Sequence, residues 1–567
     1  MAMSEDKPEK KSIASSEEVD FRKNTMSGSQ IQTVWAVLCE FSKESSVHGV
    51  RYFADSNRHS AERICWAFVF VVSLYYCGSN IHQVWIIWNT SLGIVSFAEK
   101  STPVWAIPFP AVTICPLTKT YVDKLNMTEA FHTLLAGQKD NMTEEDLYRT
   151  KAVIQLCEAH LAENFLLGQN FTTSEIYEII KDVAPDFNDT MFYCKWRNDF
   201  IPCETNFQPI LTGEGLCYTF NSLNSQEIYT DVVADEMKIV TKNPNATHWR
   251  LEDGYKYGNY VQTYPYRGLG SGDKAGLFTL LRLYQQNMEY LCRGPVQGFK
   301  IVLHTPGEVP QMSKDYIIVP ILQEAIVSIK PHLITTSERL LPYSPNQRQC
   351  FFTSERKLRF FKAYTKNNCE LECLSNFTKL ECGCVQFSMP RDRNTEICGS
   401  DKIKCYNDAE GKLLEKNFIN NENAESAPKG CNCLPSCTMI NYDVEISQAK
   451  FDWVGLFKAF KSPLDEFPGM ELARVKISFK RNEFVTSVRS EASNYTDFLS
   501  YCGGLLGLFM GVSILSIFEI IYYFTLRLGC MLHILKSRKL NENDEVVPVE
   551  SNIPNIKVVT PADEKME

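Results

Sequence analysis

The sequence has no surplus of basic residues: 58 Lys and Arg stand against 68 Asp and Glu, a formal charge of −10. A general nucleic-acid surface is excluded on that ground. It also lacks His-Glu-x-x-His, Gly-x-Ser-x-Gly and phosphate-loop patterns, so an enzyme of those classes is excluded. His304, in a strand-like run before Thr305-Pro306-Gly307, reads as a structural histidine rather than a base. Internal repeats are missing. Long apolar runs are scarce, and a mean hydropathy of −0.20 rules out a transporter built mostly of membrane helices.

Two such runs do occur. Residues 64–88 and 498–526 each exceed the roughly 20 residues that a helix needs to cross about 30 Å of hydrocarbon. Buried core helices would be the competing reading. The first run starts too late, and without a small-residue cleavage site, to be a removable signal. Arg51, Arg58 and Arg63 precede it, and Arg527, Lys536, Arg538 and Lys539 follow the second. Positive flanks favour the cytoplasm, which predicts a plasma-membrane protein with both termini inside. Eight N-x-S/T sequons begin at Asn89, Asn126, Asn141, Asn170, Asn188, Asn245, Asn376 and Asn494, all between the two runs and none outside them. That partition fits a glycosylated extracellular domain, with Asn89 and Asn494 too near the membrane to be dependable acceptors. The expected order is a cytoplasmic region 1–63, a span 64–88, an ectodomain 89–497, a span 498–526 and a cytoplasmic tail 527–567. The last stretch is polar enough to read as disordered.

Sixteen of the 21 cysteines fall between Cys115 and Cys437, an even set that reads as an oxidised extracellular module. The distal run has nearly mirror-symmetric gaps: Cys369-x3-Cys373 and Cys382-x-Cys384, then Cys398, Cys405 and Cys431-x-Cys433-x3-Cys437. The symmetry predicts nested bridges stapling a helical hairpin, each worth ~2–4 kcal/mol. Zinc at a Cys-x-Cys is the weaker alternative, since no four-ligand knuckle stands out. Around this run the domain reads as mixed α+β. Residues 299–305 and 316–322 alternate like strands, and 144–165 reads as helical. Pro103, Pro108 and Pro110 keep 97–115 extended.

In the second span, Ser500, Gly504, Gly507 and Gly511 recur at spacings of 4, 3 and 4, with Gly503 beside them. Small residues so placed let helices approach closely in lipid, and simple helix packing would suffice to explain them. Gly511-Val512-Ser513 adds a Gly-x-Ser element where a residue without Cβ lets the backbone leave the helix. Carbonyls turned to an axis can replace part of an ion's water shell. Glu519 lies further along; in a symmetric oligomer it forms a carboxylate ring that attracts cations. Pairing with Arg527 is the competing reading.

These residues resemble the epithelial sodium channel/degenerin superfamily, most of all its insect pickpocket branch, over about 41–530. The likeness rests on His48-Gly49 within SSVHGVRYF, on FPAVTIC (109–115), GEGLCYTFN (213–221) and CGCVQFSMP (382–390), and on GGLLGLFMGVSILSIFE (503–519). The resemblance implies a membrane protein with two transmembrane α-helices and a large disulfide-rich α+β extracellular domain of palm, β-ball, finger, thumb and knuckle. Its trimeric architecture would be that of acid-sensing ion channels. It implies an amiloride-sensitive, Na+-preferring, voltage-insensitive cation channel, a homo- or heterotrimer with sister subunits in the membrane lipid, with a sensory stimulus. It implies no cofactor or metal beyond the permeant Na+. Gly504, Leu508 and Gly511 would line the pore, Gly511-Val512-Ser513 would form its narrow belt, His48-Gly49 would act in gating, and Ser500 would hold the position where a bulky residue keeps the gate open. The implied disulfides are Cys115–Cys217, Cys194–Cys203, Cys350–Cys437, Cys369–Cys433, Cys373–Cys431, Cys382–Cys405 and Cys384–Cys398, leaving Cys157 and Cys292 over, free to pair with each other. The sequence departs from the family at Tyr501, where relatives carry an acidic or amide residue, and gives no basis for an acid-sensing pocket. An ATP-gated channel would want a cluster of Lys and Arg for phosphate, and none is convincing. A non-conducting modulatory subunit or cysteine-rich receptor is the remaining alternative.

Overall fold

The structure, a computed structural model, describes residues 28–90, 93–163, 175–238, 246, 249–255, 263–422, 431–463, 466–491 and 494–534. The expected acceptors Asn170 and Asn245 lie outside the described residues, as do 1–27 and 535–567. The chain forms two compact units, Met1–Thr90 with Ser493–Glu567, and Ser91–Ala492.

The first unit begins with α1 (Gly28–Glu44), a short α2 (Val50–Ala54) and α3 (Ser60–Thr90). At ~1.5 Å per residue, the 31 residues of α3 are more than long enough to cross a bilayer. Phe68, Val71 and Tyr75 are exposed along it. A helix so apolar around its circumference is built for lipid or a protein interior rather than for water.

The central unit is built on strands β1 (Gly93–Pro103), β2 (Ala111–Pro116), β3 (Met191–Trp196), β4 (Asp199–Phe200), β5 (Phe207–Thr212), β6 (Gly215–Phe220), β7 (Trp249–Arg250), β8 (Gly254–Tyr255), β9 (Leu277–Tyr284), β10 (Gly298–His304), β11 (Tyr316–Pro320), β12 (Gln323–Thr336), β13 (Met439–Lys450), β14 (Met470–Phe479) and β15 (Glu483–Glu491). One sheet runs β1-β15-β12-β14-β9-β3-β4 with β13 also on β12, and a second runs β11-β10-β2-β6-β5. Period-2 patterning sets their faces: in β9, Leu277, Thr279, Leu281 and Leu283 are buried and the residues between them are half-buried. The core holds Phe109 edge-on to Trp196 at 4.8 Å and to Phe479 at 5.5 Å. Gly276 is required where strands crowd, since a Cβ there would sit 2.1 Å from the Ile477 carbonyl oxygen. β1 and β15 pair antiparallel from Gly93↔Glu491 to Pro103↔Glu483, so the first and last strands of this unit lie side by side. The proline-marked run 97–115 is extended apart from one 3-10 turn at Val104–Ala106.

The stretch 144–165 is not one helix. It breaks after an α-helix at Glu144–Val153 and a 3-10 turn at Ile154–Leu156, because Cys157 turns extended and bonds to Cys292. The distal cysteines surround α4 (Lys366–Cys382) and α5 (Ile403–Glu422). Cys382–Cys405 ties these two helices and Cys384–Cys398 closes the loop between them. The outer rungs differ from a simple hairpin staple: Cys369 and Cys373 bond Cys433 and Cys431, beyond α5, with Cys350–Cys437 outside them. Cys115–Cys217 and Cys194–Cys203 lie among the strands. Replacing Cys384 and Cys398, 14 residues apart, together by serine is expected to lower stability by about 3 kcal/mol, read as a lower melting temperature of the purified protein.

A buried ion cluster joins the segment after β2, the β5–β6 turn and β10. Glu214 lies 2.9 Å from Lys119, 3.0 Å from Arg293 and 2.8 Å from Lys300. Burial alone would raise the Glu214 carboxyl, but the three cations outweigh it and hold it at about 2. Burial brings Lys119 down to about 8, against the pull of Glu214.

The chain returns to the first unit as α6 (Tyr495–Met510) and α7 (Ile514–Tyr522), followed by a π-turn at Tyr523–Arg527. The apolar run 498–526 is therefore two helices with a break between them. Among the described residues, the helices long and apolar enough to cross a membrane are Ser60–Asn89 and Ile514–Ile534.

Candidate functional site

Three residues shape the break. Gly511 has φ 66° and ψ 17°, a left-handed conformation that costs other residues about 1–2 kcal/mol. Its N–H bonds the Gly507 carbonyl at 2.9 Å, and the Val512 N–H reaches that of Leu506 at 3.3 Å. This double closure is how a glycine ends a helix. Ser513 is extended (φ −108°, ψ 172°) and starts the next helix: its Oγ accepts the Ser516 N–H, and the Ser516 Oγ accepts the Ser513 N–H, both at 3.2 Å. Non-helical backbone at membrane depth persists only where it lines a cavity or is buried in protein.

The N-terminal segment packs against this break. The His48 N–H donates to the Met510 carbonyl at 2.9 Å, and the His48 ring fills the place of a side chain at 511, where a Cβ would come within 2.5 Å of Nδ1. Gly49, at φ 91°, turns the chain from His48 into α2.

α6 has two dissimilar faces. Leu505, Leu506, Phe509, Met510 and Val512 cluster with Val47, Phe70, Cys77 and Ile81, and Phe498 lies 5.1 Å from the Trp88 ring. The other face carries Gly504 and Leu508. Leu508 is 80% exposed, and apart from the helix's own backbone and the adjoining residues nothing stands within 4 Å of a Cβ built at Gly503, Gly504 or Gly507. Ser500 is exposed and turns its hydroxyl to the Thr496 carbonyl at 2.8 Å. Tyr501 is exposed as well.

Beyond the break, Glu519 accepts from the Ser46 hydroxyl at 2.7 Å and from its N–H at 3.3 Å. Arg527, the partner the sequence offered to Glu519, bonds Glu40 at 2.7 Å. Ser46 and Ser516 are residues the sequence reading passed over. The Ser513-x-x-Ser516 spacing is a capping signal it could have used, but nothing local marks Ser46.

The remaining candidates lie in the central unit. His304 is buried between Thr113 Oγ1 at 2.9 Å and the Thr305 carbonyl at 3.1 Å, and burial pushes it down to about 4, so it is neutral. Asn126, Asn141, Asn188 and Asn376 are exposed. Among the described residues no group of three or more His, Cys, Asp or Glu could hold a metal ion.

A family model described as "Amiloride-sensitive sodium channel" matches residues 41–523. Pickpocket protein 28 of Drosophila melanogaster is 29% identical over 88% of this chain and 79% of its own length. Sodium channel protein Nach of the same fly is 23% identical over 90% of both chains. Human acid-sensing ion channel 2 is 24% identical over 91% of both.

Proposed function

Because the chain belongs to the amiloride-sensitive sodium channel family, and is thus a cation-channel protein rather than an enzyme, we propose that it is a pore-forming subunit of an amiloride-sensitive, Na+-preferring, voltage-insensitive channel. In this reading it sits in the plasma membrane with both termini in the cytoplasm and the disulfide-rich unit outside. It assembles as a homo- or heterotrimer with sister subunits, and a mechanical, chemical or osmotic stimulus opens it. The observation that carries the reading is the break at Gly511-Val512-Ser513, with one face of the preceding helix left unpacked at Gly504 and Leu508. Several copies of that face around an axis would enclose water, and the non-helical backbone would then line a cavity, the setting in which it is tolerated. Bare carbonyls there would meet the passing ion, and Glu519 would add carboxylates that favour cations over anions.

The test is thiol accessibility in the full chain, expressed in oocytes alone and with sister subunits. A bulky substitution at Ser500 is expected to yield amiloride-blockable inward current. Gly504→Cys and Leu508→Cys are then expected to react with a charged thiol reagent from outside and to lose that current. Cysteines at both positions that never react, or silence with every partner and stimulus, would favour a non-conducting modulatory subunit.

A further inference from the structure

A cavity lies inside the central unit where four parts of it meet: the helix Ile176–Val183, strands β5 and β6, the stretch 222–237 and the loop between α4 and α5. Its walls are mainly apolar, with Ile210, Leu211, Leu223, Ile228, Val309 and Phe387 among them. About 50 Å³ is open to the centre of a water-sized sphere, and one water needs only about 10–15 Å³. The space therefore suits a molecule of one small ring. The charged groups of the lining are already engaged: Glu236 pairs with Arg391 at 3.3 Å, and Glu308 accepts from Asn367 at 3.1 Å. The Tyr177 hydroxyl donates to the Phe387 carbonyl at 2.7 Å. Tyr229 differs. It is 8% exposed, yet its hydroxyl has no hydrogen-bond partner among the described residues. A buried tyrosine usually sets its hydroxyl on a partner, and a buried polar group without one calls for an explanation. The side chain is held in place, with its ring 5.6 Å from that of Phe361 and a β-bridge between the two backbones. Burial pushes the Tyr229 hydroxyl up, so it keeps its proton and remains a donor.

We propose that this cavity is a binding site for a small uncharged molecule, apolar except for one acceptor oxygen, such as a ketone carbonyl, that takes the hydrogen bond of Tyr229. Apolar walls with a few placed polar groups are the usual make-up of a small-molecule site. A charged ligand would lose its water without gaining a free counter-charge. The ligand touches all four parts that meet here, so its binding stabilises their docking. The proposal is independent of the pore reading above.

The experiment follows the melting temperature of the purified full chain in detergent as probes are added. Cyclohexanone is expected to raise it along a saturating curve, as a ligand of the folded state does. In Tyr229→Phe the ketone should be needed at roughly fivefold higher concentration for the same shift, the scale of one neutral hydrogen bond. Methylenecyclohexane has the same shape with CH2 in place of the oxygen, and it should act equally on parent and variant. Comparing the two proteins cancels uptake of the probes by the detergent. Val309→Phe, which fills the space, should abolish both shifts, and protonated cyclohexylamine should give none. No saturating shift in the parent would mean that the space holds water only. That result, a ketone response unchanged in Tyr229→Phe or in Val309→Phe, an equal fall for methylenecyclohexane in Tyr229→Phe, or an amine as effective as the ketone would each overturn the proposal. Should Val309→Phe fail to fold, Tyr229→Phe, which removes a single oxygen, still decides it.

Discussion

Replacing Gly511 by valine is expected to cut current per surface channel by roughly a hundredfold. The left-handed conformation charges a substituent about 1–2 kcal/mol, and valine, branched at Cβ, tolerates it less well than most residues. The new Cβ would also meet the His48 ring at 2.5 Å, so the ring must shift while its backbone is held to Met510. Together these costs come to about 3 kcal/mol, or roughly a hundredfold. Gly78→Ala is the control: it has no positive φ, no atom within 4 Å of the added Cβ, and a place inside α3, where alanine favours the helix. Surface labelling separates loss of conduction from loss of folding. Parent-like current from Gly511→Val at equal surface level would show that conduction does not use this conformation.

The second large effect lies at Glu214. Glu214→Gln leaves Lys119, Arg293 and Lys300 facing one another with no anion at their centre. Removing one member of a buried ion pair typically costs about 3–5 kcal/mol, so the purified protein should melt well below the parent at neutral pH. The acid response identifies the cause. Glu214 is held at about 2 in the folded protein, against about 4.3 for a free glutamate. Its contribution is therefore fully present above the unfolded value and is lost as pH falls from there through about 2. The variant, without this carboxylate, should lose that part of the parent's acid step. Lys119 acts in the opposite window: held at about 8 when folded, it gives up its proton before the unfolded chain does, so its effect on stability becomes more favourable as pH rises from 8 toward 10.5. A Glu214→Gln protein with the parent's melting temperature and acid profile would mean that the cluster carries little stability.

The architecture was legible where local chemistry carries it. Uniformly apolar runs of sufficient length identify α3 and the second span, an even cysteine set marks the oxidised unit, and alternation finds β10 and β11. Misreadings occurred where a distant partner decides. The stretch 144–165 has helical composition throughout, but its helix ends because Cys157 is tethered 135 residues away at Cys292. The mirror spacing of the cysteines implied nesting without telling which element carries the outer rungs, and those rungs join α4 to 431–433 rather than to α5. The break at Gly511 could be anticipated because only glycine is indifferent to the sign of φ. The contact of Ser46 with Glu519 could not: the two are 473 residues apart, and no local pattern encodes a contact at that range. Likewise, Glu519 had Arg527 as a sequence neighbour two turns away, yet that arginine is drawn to Glu40 on α1.

The break at 511–513 also changes the field along the membrane normal. One continuous helix would carry a single macrodipole with its poles at the two surfaces. Two helices in series instead set the negative pole of α6 and the positive pole of α7 within a few residues of each other, each equivalent to roughly half an elementary charge. In the proposed pore, a cation arriving along α6 would be drawn to the first pole and then opposed by the second. Glu519, five residues into α7, supplies a full negative charge just past that second pole and offsets it. Neutralising Glu519 therefore exposes the barrier from one side more than the other, and inward and outward currents should become unequal.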